Sequence, residues 1–294
     1  MAAGVRRIVG GPFEKHWHKK TNVNALWKEL QAHEGKKDIM TACTDGNDHT
    51  IKNAEGLTMG HAFTVLGTHT LSNGVRLVKM RNPWGTETFK GAWSDSSALW
   101  TDEHAKKVNL KKTLKDGIFH MSIEDYAKKF ELTDINYNTK GMHQASFVRL
   151  NDDKSKADAC VLEEGAKCGR HTLTLKSDVD QTVWLTAHTW DQRTMPTKCQ
   201  TDLGYHLVFL EGTDEDTIWN KHGFSNGSLE FPAIKMKANE SKTIHGEWNW
   251  IDANYSKDWS VVAWGDKGSL SLTHKNGLVS DMLPLLKRQG ATKL

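Results

Sequence analysis

Hydrophobic and polar residues alternate with a period of two over much of the chain, and helical periodicity is confined to short stretches. A period of two is typical of strands with one buried face, whereas apolar positions three and four residues apart indicate a helix. The pattern predicts an α+β fold. A β-rich half-domain with short helices is followed by a second part that consists almost entirely of strands.

The first predicted helix covers residues 24–33. Asn22 is its candidate N-cap, and Gly35 is expected to end it. Its buried face is predicted from three apolar positions at helical spacing, Ala25, Leu26 and Leu30.

A second, shorter helix is predicted over residues 122–130. Ser122 stands at the cap position, and Asp125 stands three residues later, as in a capping box. Between the two helices, Ile39–Thr44 has the composition of a buried strand, and the polar residues after it predict a turn.

Residues 60–100 contain a candidate hairpin. Two hydrophobic runs, residues 61–66 and 75–80, flank Ser72-Asn73-Gly74. Asn-Gly tolerates the positive φ that a tight turn needs, so the two runs are predicted to pair as antiparallel strands. This pairing sets His61 on one strand and Asn82 at the end of its neighbour.

His61, Asn82 and Trp84 are the candidate catalytic residues. In a Cys-His-Asn protease the imidazole takes the thiol proton, while an amide oxygen holds the second ring nitrogen and fixes its tautomer. Trp84 would shield that hydrogen bond from water, where it is electrostatically stronger. The alternative is that these residues are ordinary strand ends.

From Met142 onward, period-two alternation recurs in about eight short segments separated by turn-rich loops, which predicts an antiparallel β-sandwich. We place the domain boundary at residue 140, giving domains at 1–140 and 141–294. The predicted strands of the second domain cover 146–150, 171–176, 182–189, 204–210, 229–234, 243–248, 259–264 and 269–273.

The composition of the chain argues against several classes of protein. The chain has 294 residues, 37% hydrophobic residues and a net charge of +3, which is too small to argue for nucleic-acid binding. The sequence contains no run of eighteen apolar residues, so no membrane span is predicted. Four irregularly spaced cysteines do not suggest a disulfide framework, so an intracellular, reducing compartment is expected, with the cytoplasm as the default.

Four motifs then occur in a fixed order: Gly-His-Ala-Phe-Thr-Val from residue 60, Arg-Asn-Pro-Trp-Gly from 81, Gly-Ala-Trp-Ser-Asp from 91 and Asp-Gly-Ile-Phe-His-Met-Ser from 116. In this order they closely resemble the second protease-core subdomain of the calpain family, a group of papain-like cysteine proteases. The resemblance implies that His61 and Asn82 occupy the family's catalytic positions, with Trp84 as the neighbouring tryptophan. It covers the first half of the chain and implies a C2-like sandwich for the second.

The nucleophile that this family requires is not recognisable in the sequence. Calpain-type enzymes carry it in an earlier subdomain, in a Gln-x-x-x-Gly-Asp-Cys-Trp context. Cys43 instead matches a non-catalytic Gly-Cys-Ser position of the family. The three other cysteines lie beyond the protease-like region, at Cys160, Cys168 and Cys199.

The resemblance also implies a calcium site between residues 85 and 121. Asp95 and Asp116 stand at two of its ligand positions, but Thr88 and Ile118 stand where glutamates are expected. Because calcium prefers six to eight oxygen ligands, the substitutions predict a weakened site. Glu87, one position out of register, offers partial compensation. The alternative is that Asp95 and Asp116 only cap turns.

Two interpretations of function follow. The first is a calpain-like protein without a catalytic cysteine, a pseudoenzyme that serves as a structural or interaction module for protein partners in a larger assembly. The second is the C-terminal portion of a calcium-dependent cysteine endopeptidase acting on protein substrates, in which another segment supplies the cysteine.

Overall fold

The chain divides into two compact units, Met1–Thr139 and Lys140–Leu294. In the computed structural model the described residues are 11–86, 88–113, 115–149, 170–189, 205–210, 219–222, 228–230, 233–249 and 259–276.

The first unit is organised around one six-stranded antiparallel sheet. Its spatial order is β1-β6-β2-β3-β4-β5. The strands are β1 (Phe13–Trp17), β2 (Ile39–Thr44), β3 (Ala62–Thr70), β4 (Arg76–Arg81), β5 (Ile118–Ser122) and β6 (Phe130–Asn136). The predicted strand Ile39–Thr44 and the hairpin of β3 and β4 are confirmed.

Three short helices accompany this sheet: α1 (Val23–Lys36), α2 (Asp102–Lys107) and α3 (Ile123–Lys129). Asn22 caps α1 by accepting hydrogen bonds from the N–H groups of Asn24 and Ala25, as predicted. The prediction that Gly35 ends α1 was wrong. The helix continues through Gly35, and Lys37 closes it in the left-handed conformation with its N–H bonded to the Glu34 and His33 carbonyls.

The main core of the first unit lies on the face of the sheet that α1 and α3 cover. These two helices contribute Leu26, Leu30, Ile123 and Tyr126. The inward residues of the strands alternate with outward ones, and they include Met40, Ala42, Phe63, Val65, Val78, Met80, Phe119, Met121 and Ile135. This packing fixes which side chains of β3 and β4 face the helices.

The second unit contains two antiparallel sheets. Their strand orders are β11-β10-β14-β8-β16 and β12-β9-β15-β7, with β13 also pairing β9. The strands are β7 (His143–Arg149), β8 (Arg170–Ser177), β9 (Gln181–Thr189), β10 (Tyr205–Leu210), β11 (Trp219–His222), β12 (Ser228–Glu230), β13 (Ile234–Met236), β14 (Ser241–Asn249), β15 (Trp259–Gly265) and β16 (Leu270–Asn276).

Both sheets of this unit contribute to one hydrophobic core, which confirms an antiparallel sandwich. Leu173 and Leu175 come from one sheet, whereas Val183, Leu185 and Val261 come from the other. The strand predicted at 229–234 is divided, because β12 and β13 are separate segments that both pair with β9.

Alternation did not predict five of the elements described, β1, β5, β6, β11 and α2. In β1 only Phe13 is buried, and the three residues after it are half-buried, so the strand shows no period of two. β1 forms at the sheet edge because it pairs with β6 over five residues, a contact more than one hundred residues away in sequence.

Candidate functional site

The hairpin of β3 and β4 brings the two candidate catalytic residues together. His61 directly precedes β3, and Asn82 directly follows β4. Because the strands are antiparallel and Thr64 lies opposite Arg81, the beginning of one strand meets the end of the other. The two residues are therefore neighbours in space although twenty-one positions separate them in sequence.

The His61 ring and the Asn82 amide form a hydrogen bond of 3.0 Å between Nε2 and Oδ1. The backbone N–H of Trp84 donates to the same Asn82 atom, also at 3.0 Å. An atom that accepts from a backbone N–H must be the amide oxygen, so the Nε2 of His61 is the donor in its bond. The neutral ring thus carries its proton on Nε2 and its lone pair on Nδ1.

Aromatic rings enclose this pair. The Trp84 ring lies 4.2 Å from the His61 ring between centroids, and Phe63 meets His61 edge-on at 4.9 Å. Asn82 is only 3% exposed, whereas Trp84 itself is 49% exposed and covers the pair from the solvent side. A hydrogen bond screened from water in this way is electrostatically stronger than one in solvent.

Asn82 is itself fixed by the turn that precedes β5. Its N–H donates to the Gly117 carbonyl at 2.8 Å, and its own carbonyl accepts from Gly85 N–H at 3.0 Å. Gly117 has φ +71°, and a Cβ there would lie 2.5 Å from the Asn82 carbonyl oxygen. Only glycine allows this close approach of the turn to Asn82.

Thr44 is a site residue that the sequence analysis did not single out. Its side-chain hydroxyl accepts a hydrogen bond from the His61 N–H at 3.1 Å, and its N–H donates to the His61 carbonyl at 3.0 Å. The sequence signal was available, since a threonine hydroxyl at the buried end of a predicted strand needs polar partners.

Cys43 cannot act on this pair. It lies opposite Ala62 in the sheet, so both side chains project from one face, whereas Phe63, which contacts His61, belongs to the core on the other face. Burial also raises the pKa of the Cys43 thiol, which disfavours the thiolate. Cys160, Cys168 and Cys199 lie outside the described residues.

Asp95 and Asp116 both accept hydrogen bonds from backbone N–H groups. Asp95 accepts from Thr113 at 3.1 Å, and Asp116 accepts from Ile118 at 2.9 Å. Burial raises the pKa of Asp95 to about 6, and the charge of Asp116 adds to the rise. The two carboxylates therefore lie close enough to repel each other, and each also stabilises a loop or turn.

The two other positions implied for calcium carry no carboxylate. The Thr88 hydroxyl donates to the Gly56 carbonyl at 2.7 Å, and Ile118 offers no side-chain oxygen. Glu87 lies outside the described residues. Over the described part of the chain no group of three or more His, Cys, Asp or Glu side chains could hold a metal. Among the implied positions that the structure describes, only Asp95 and Asp116 carry carboxylates, whereas calcium prefers six to eight oxygen ligands.

Chemically, the arrangement has the geometry that a general base needs, a histidine ring held in one orientation. Nδ1 of His61 is available to accept a proton from a nucleophile and to return it to a leaving group.

None of the helices described is long and apolar enough to cross a membrane.

The comparisons with known proteins concern this same part of the chain. The family model for calpain family cysteine proteases matches residues 1–137. Mouse calpain-12 is 34% identical over 122 residues, which cover 40% of this chain and 17% of calpain-12. The Arabidopsis thaliana calpain-type cysteine protease DEK1 is 35% identical over 106 residues, which cover 36% of this chain and 5% of DEK1.

The catalytic subunit of mouse calpain-1 is also similar, with 38% identity over 90 residues, or 29% of this chain and 12% of that subunit. The chain spans less than a fifth of the length of each of these relatives.

Proposed function

We propose that the chain supplies the His-Asn half of a calpain-type cysteine endopeptidase, because residues 1–137 match the family model for calpain family cysteine proteases. His61 is the general base and later the general acid, Asn82 is its orienting residue, and Trp84 shields their hydrogen bond. The substrate class is protein, cleaved at peptide bonds.

The observation that supports this proposal is the 3.0 Å hydrogen bond from Nε2 of His61 to Oδ1 of Asn82. It leaves the Nδ1 lone pair to take the proton of a cysteine thiol. The thiolate then attacks the peptide carbonyl, and the imidazolium, stabilised by the Asn82 oxygen, returns the proton to the leaving amine. A ring held in the other tautomer would present a proton to the thiol and could not accept one.

A complementary segment must supply the cysteine and the oxyanion hole, which is usually built near the nucleophile. That segment would belong either to another part of the same protein or to a partner chain. Its cysteine must enter on the Nδ1 side of His61.

The second candidate function is a non-catalytic module that binds protein partners. The position of Cys43 favours it, because the one thiol placed among the described residues faces away from His61 and is half-buried. In this case the His61-Asn82 hydrogen bond would only stabilise the hairpin.

Reconstitution distinguishes the two functions. The chain is mixed with the recombinant cysteine-bearing subdomain of the mouse calpain-1 catalytic subunit, complex formation is measured by analytical ultracentrifugation, and hydrolysis of a fluorogenic peptide is followed. We expect hydrolysis only in the mixture, and H61A should lower kcat/KM by about 1,000-fold or more, the order seen when a catalytic base is removed.

His49 provides the matched control, since its ring lies 6.1 Å from the Trp84 ring but outside the His61-Asn82 hydrogen bond. H49A should keep the activity of the unsubstituted chain. A stable complex without hydrolysis, or one whose hydrolysis survives H61A, contradicts the peptidase proposal and supports the binding module.

A further inference from the structure

The backbone of His61 is held by two groups of a single residue, the N–H and the side-chain hydroxyl of Thr44. The Thr44 N–H donates to the His61 carbonyl at 3.0 Å, and the His61 N–H donates to the Thr44 hydroxyl at 3.1 Å. That hydroxyl also lies 2.9 Å from the Thr58 carbonyl and 3.1 Å from the His61 carbonyl. Thr44 is 3% exposed, so these bonds form away from bulk water.

Each hydrogen-bond donor and acceptor around this hydroxyl can be assigned one partner. A hydroxyl donates one proton and accepts through its lone pairs. Because the His61 carbonyl already accepts from the Thr44 N–H, the hydroxyl proton goes to the nearer Thr58 carbonyl, and its lone pair takes the His61 N–H. The threonine thus joins both ends of the segment 58–61 to β2.

The pairing of β2 with β3 brings Thr44 to this position, because Cys43 lies opposite Ala62 and the next residue, Thr44, therefore lies opposite His61. Cys43 pairs with Leu132 of β6, but Thr44 pairs with Phe130, so one residue of β6 is skipped. The skipped residue, Glu131, belongs to β6, so Thr44 stays on the same face of β2 as Met40 and Ala42. The Thr44 hydroxyl therefore lies at the edge of the core, beside the segment that precedes β3.

His61 needs such an anchor because it stands outside the regular ladder of β3. Its ring is fixed at the far end by the Asn82 oxygen, and its backbone is fixed by Thr44. If the backbone of His61 could shift, the distance between Nε2 of His61 and Oδ1 of Asn82 would change with it. The ring would then no longer be held in one tautomer.

We propose that Thr44 is a positioning residue for His61, acting through its side-chain hydroxyl to hold the imidazole in register with Asn82. This inference rests on the proposed catalytic role of His61 for its functional meaning. Its structural content can be measured without any peptidase activity.

The experiment records the tautomer of His61 in the whole chain by long-range ¹H–¹⁵N NMR at neutral pH. The test variants are T44V, which keeps the branched shape and removes the hydroxyl, and T44S, which keeps the hydroxyl. We expect the ratio of the Nε2–H to the Nδ1–H tautomer to fall about fivefold in T44V, the factor that corresponds to one ordinary hydrogen bond, and to stay unchanged in T44S.

Thr58 provides a matched control. It is 1% exposed, and its hydroxyl has no hydrogen-bond partner. T58V is therefore the same substitution at a neighbouring buried threonine, and it should leave the His61 tautomer as in the unsubstituted chain. N82A is the positive control, because it removes the acceptor of the Nε2 proton.

An unchanged tautomer ratio in folded T44V overturns the proposal, and so does an equal fall in T58V. If T44V does not fold, T44S tests the proposal in its place. A folded T44S protein that loses the preference for the Nε2–H tautomer would show that the methyl group, and not the hydroxyl, positions His61. The proposed function is tested separately. It is contradicted by a reconstituted complex that does not hydrolyse peptide, even where the tautomer results support the role of Thr44.

Discussion

At the scale of single residues, the chain places a histidine where it has no polar partner. His120 is 1% exposed, and neither of its ring nitrogens makes a hydrogen bond. Trp100 and His69 pack against the ring. Burial, with the nearby charges of Lys79 and His69, lowers the pKa of His120 to about 3.

This burial predicts a pH dependence of stability. His120 takes up a proton near the ordinary histidine pKa of 6.5 in the unfolded chain, but only near 3 in the folded chain. The stability that neutral His120 contributes is therefore fully present above pH 6.5 and is lost as the pH falls towards 3. Between about pH 6 and 4 we expect the free energy of unfolding to fall by about 1.4 kcal/mol per pH unit more in the unsubstituted chain than in H120F.

The measurement is urea unfolding of both proteins at pH 7, 5.5 and 4.5. His18, whose pKa burial lowers to about 4, is present in both proteins, so its effect cancels in the comparison. Parallel stability profiles for the two proteins would contradict the assignment of this pH dependence to His120.

Among the elements, the turn before β5 supports the His61–Asn82 pair through Gly117. We expect G117A to destabilise the first unit by about 2 to 4 kcal/mol, because an alanine at positive φ is strained and its Cβ would also meet the Asn82 carbonyl at 2.5 Å. Urea unfolding gives the energy, and the His61 NMR signals report whether Asn82 has moved.

Gly74, in the turn between β3 and β4, is the matched control. It also has positive φ, +83°, but a Cβ there would meet nothing within 4 Å. G74A should therefore cost only the conformational strain, about 1 to 2 kcal/mol, and should leave the His61 signals in place. Equal effects of the two substitutions would show that the contact with Asn82 carries no energy.

At the scale of the whole molecule, each unit has its own hydrophobic core. Leu30 belongs to the core of the first unit and Leu175 to that of the second, and both side chains are fully buried. We expect L30A and L175A each to destabilise its own unit by about 2 to 5 kcal/mol, because both leave a cavity.

Calorimetry of the whole chain, together with NMR signals assigned to each unit, tests this prediction. L30A should lower the transition of the first unit alone, and L175A that of the second alone. If both variants lower one common transition by the same amount, the two units unfold as one cooperative structure.

Features with a local cause could be predicted from the sequence alone. Asn22 caps α1 and Ser122 caps α3 because a side-chain oxygen reaches an N–H two or three residues later. Asn-Gly placed the turn between β3 and β4, and alternation located most strands of the sandwich. The pairing of His61 with Asn82 could be predicted because both flank that one hairpin.

Features that depend on contacts distant in sequence could not be predicted in this way and follow from the folded chain. β1 is a strand because β6 pairs with it, and Thr44 lies beside His61 only because β2 pairs with β3. The direction of Cys43 and the isolation of His120 likewise follow from which face of the sheet the core occupies. No local pattern encodes these features, since their energy comes from burial and from partners that only the folded chain brings near.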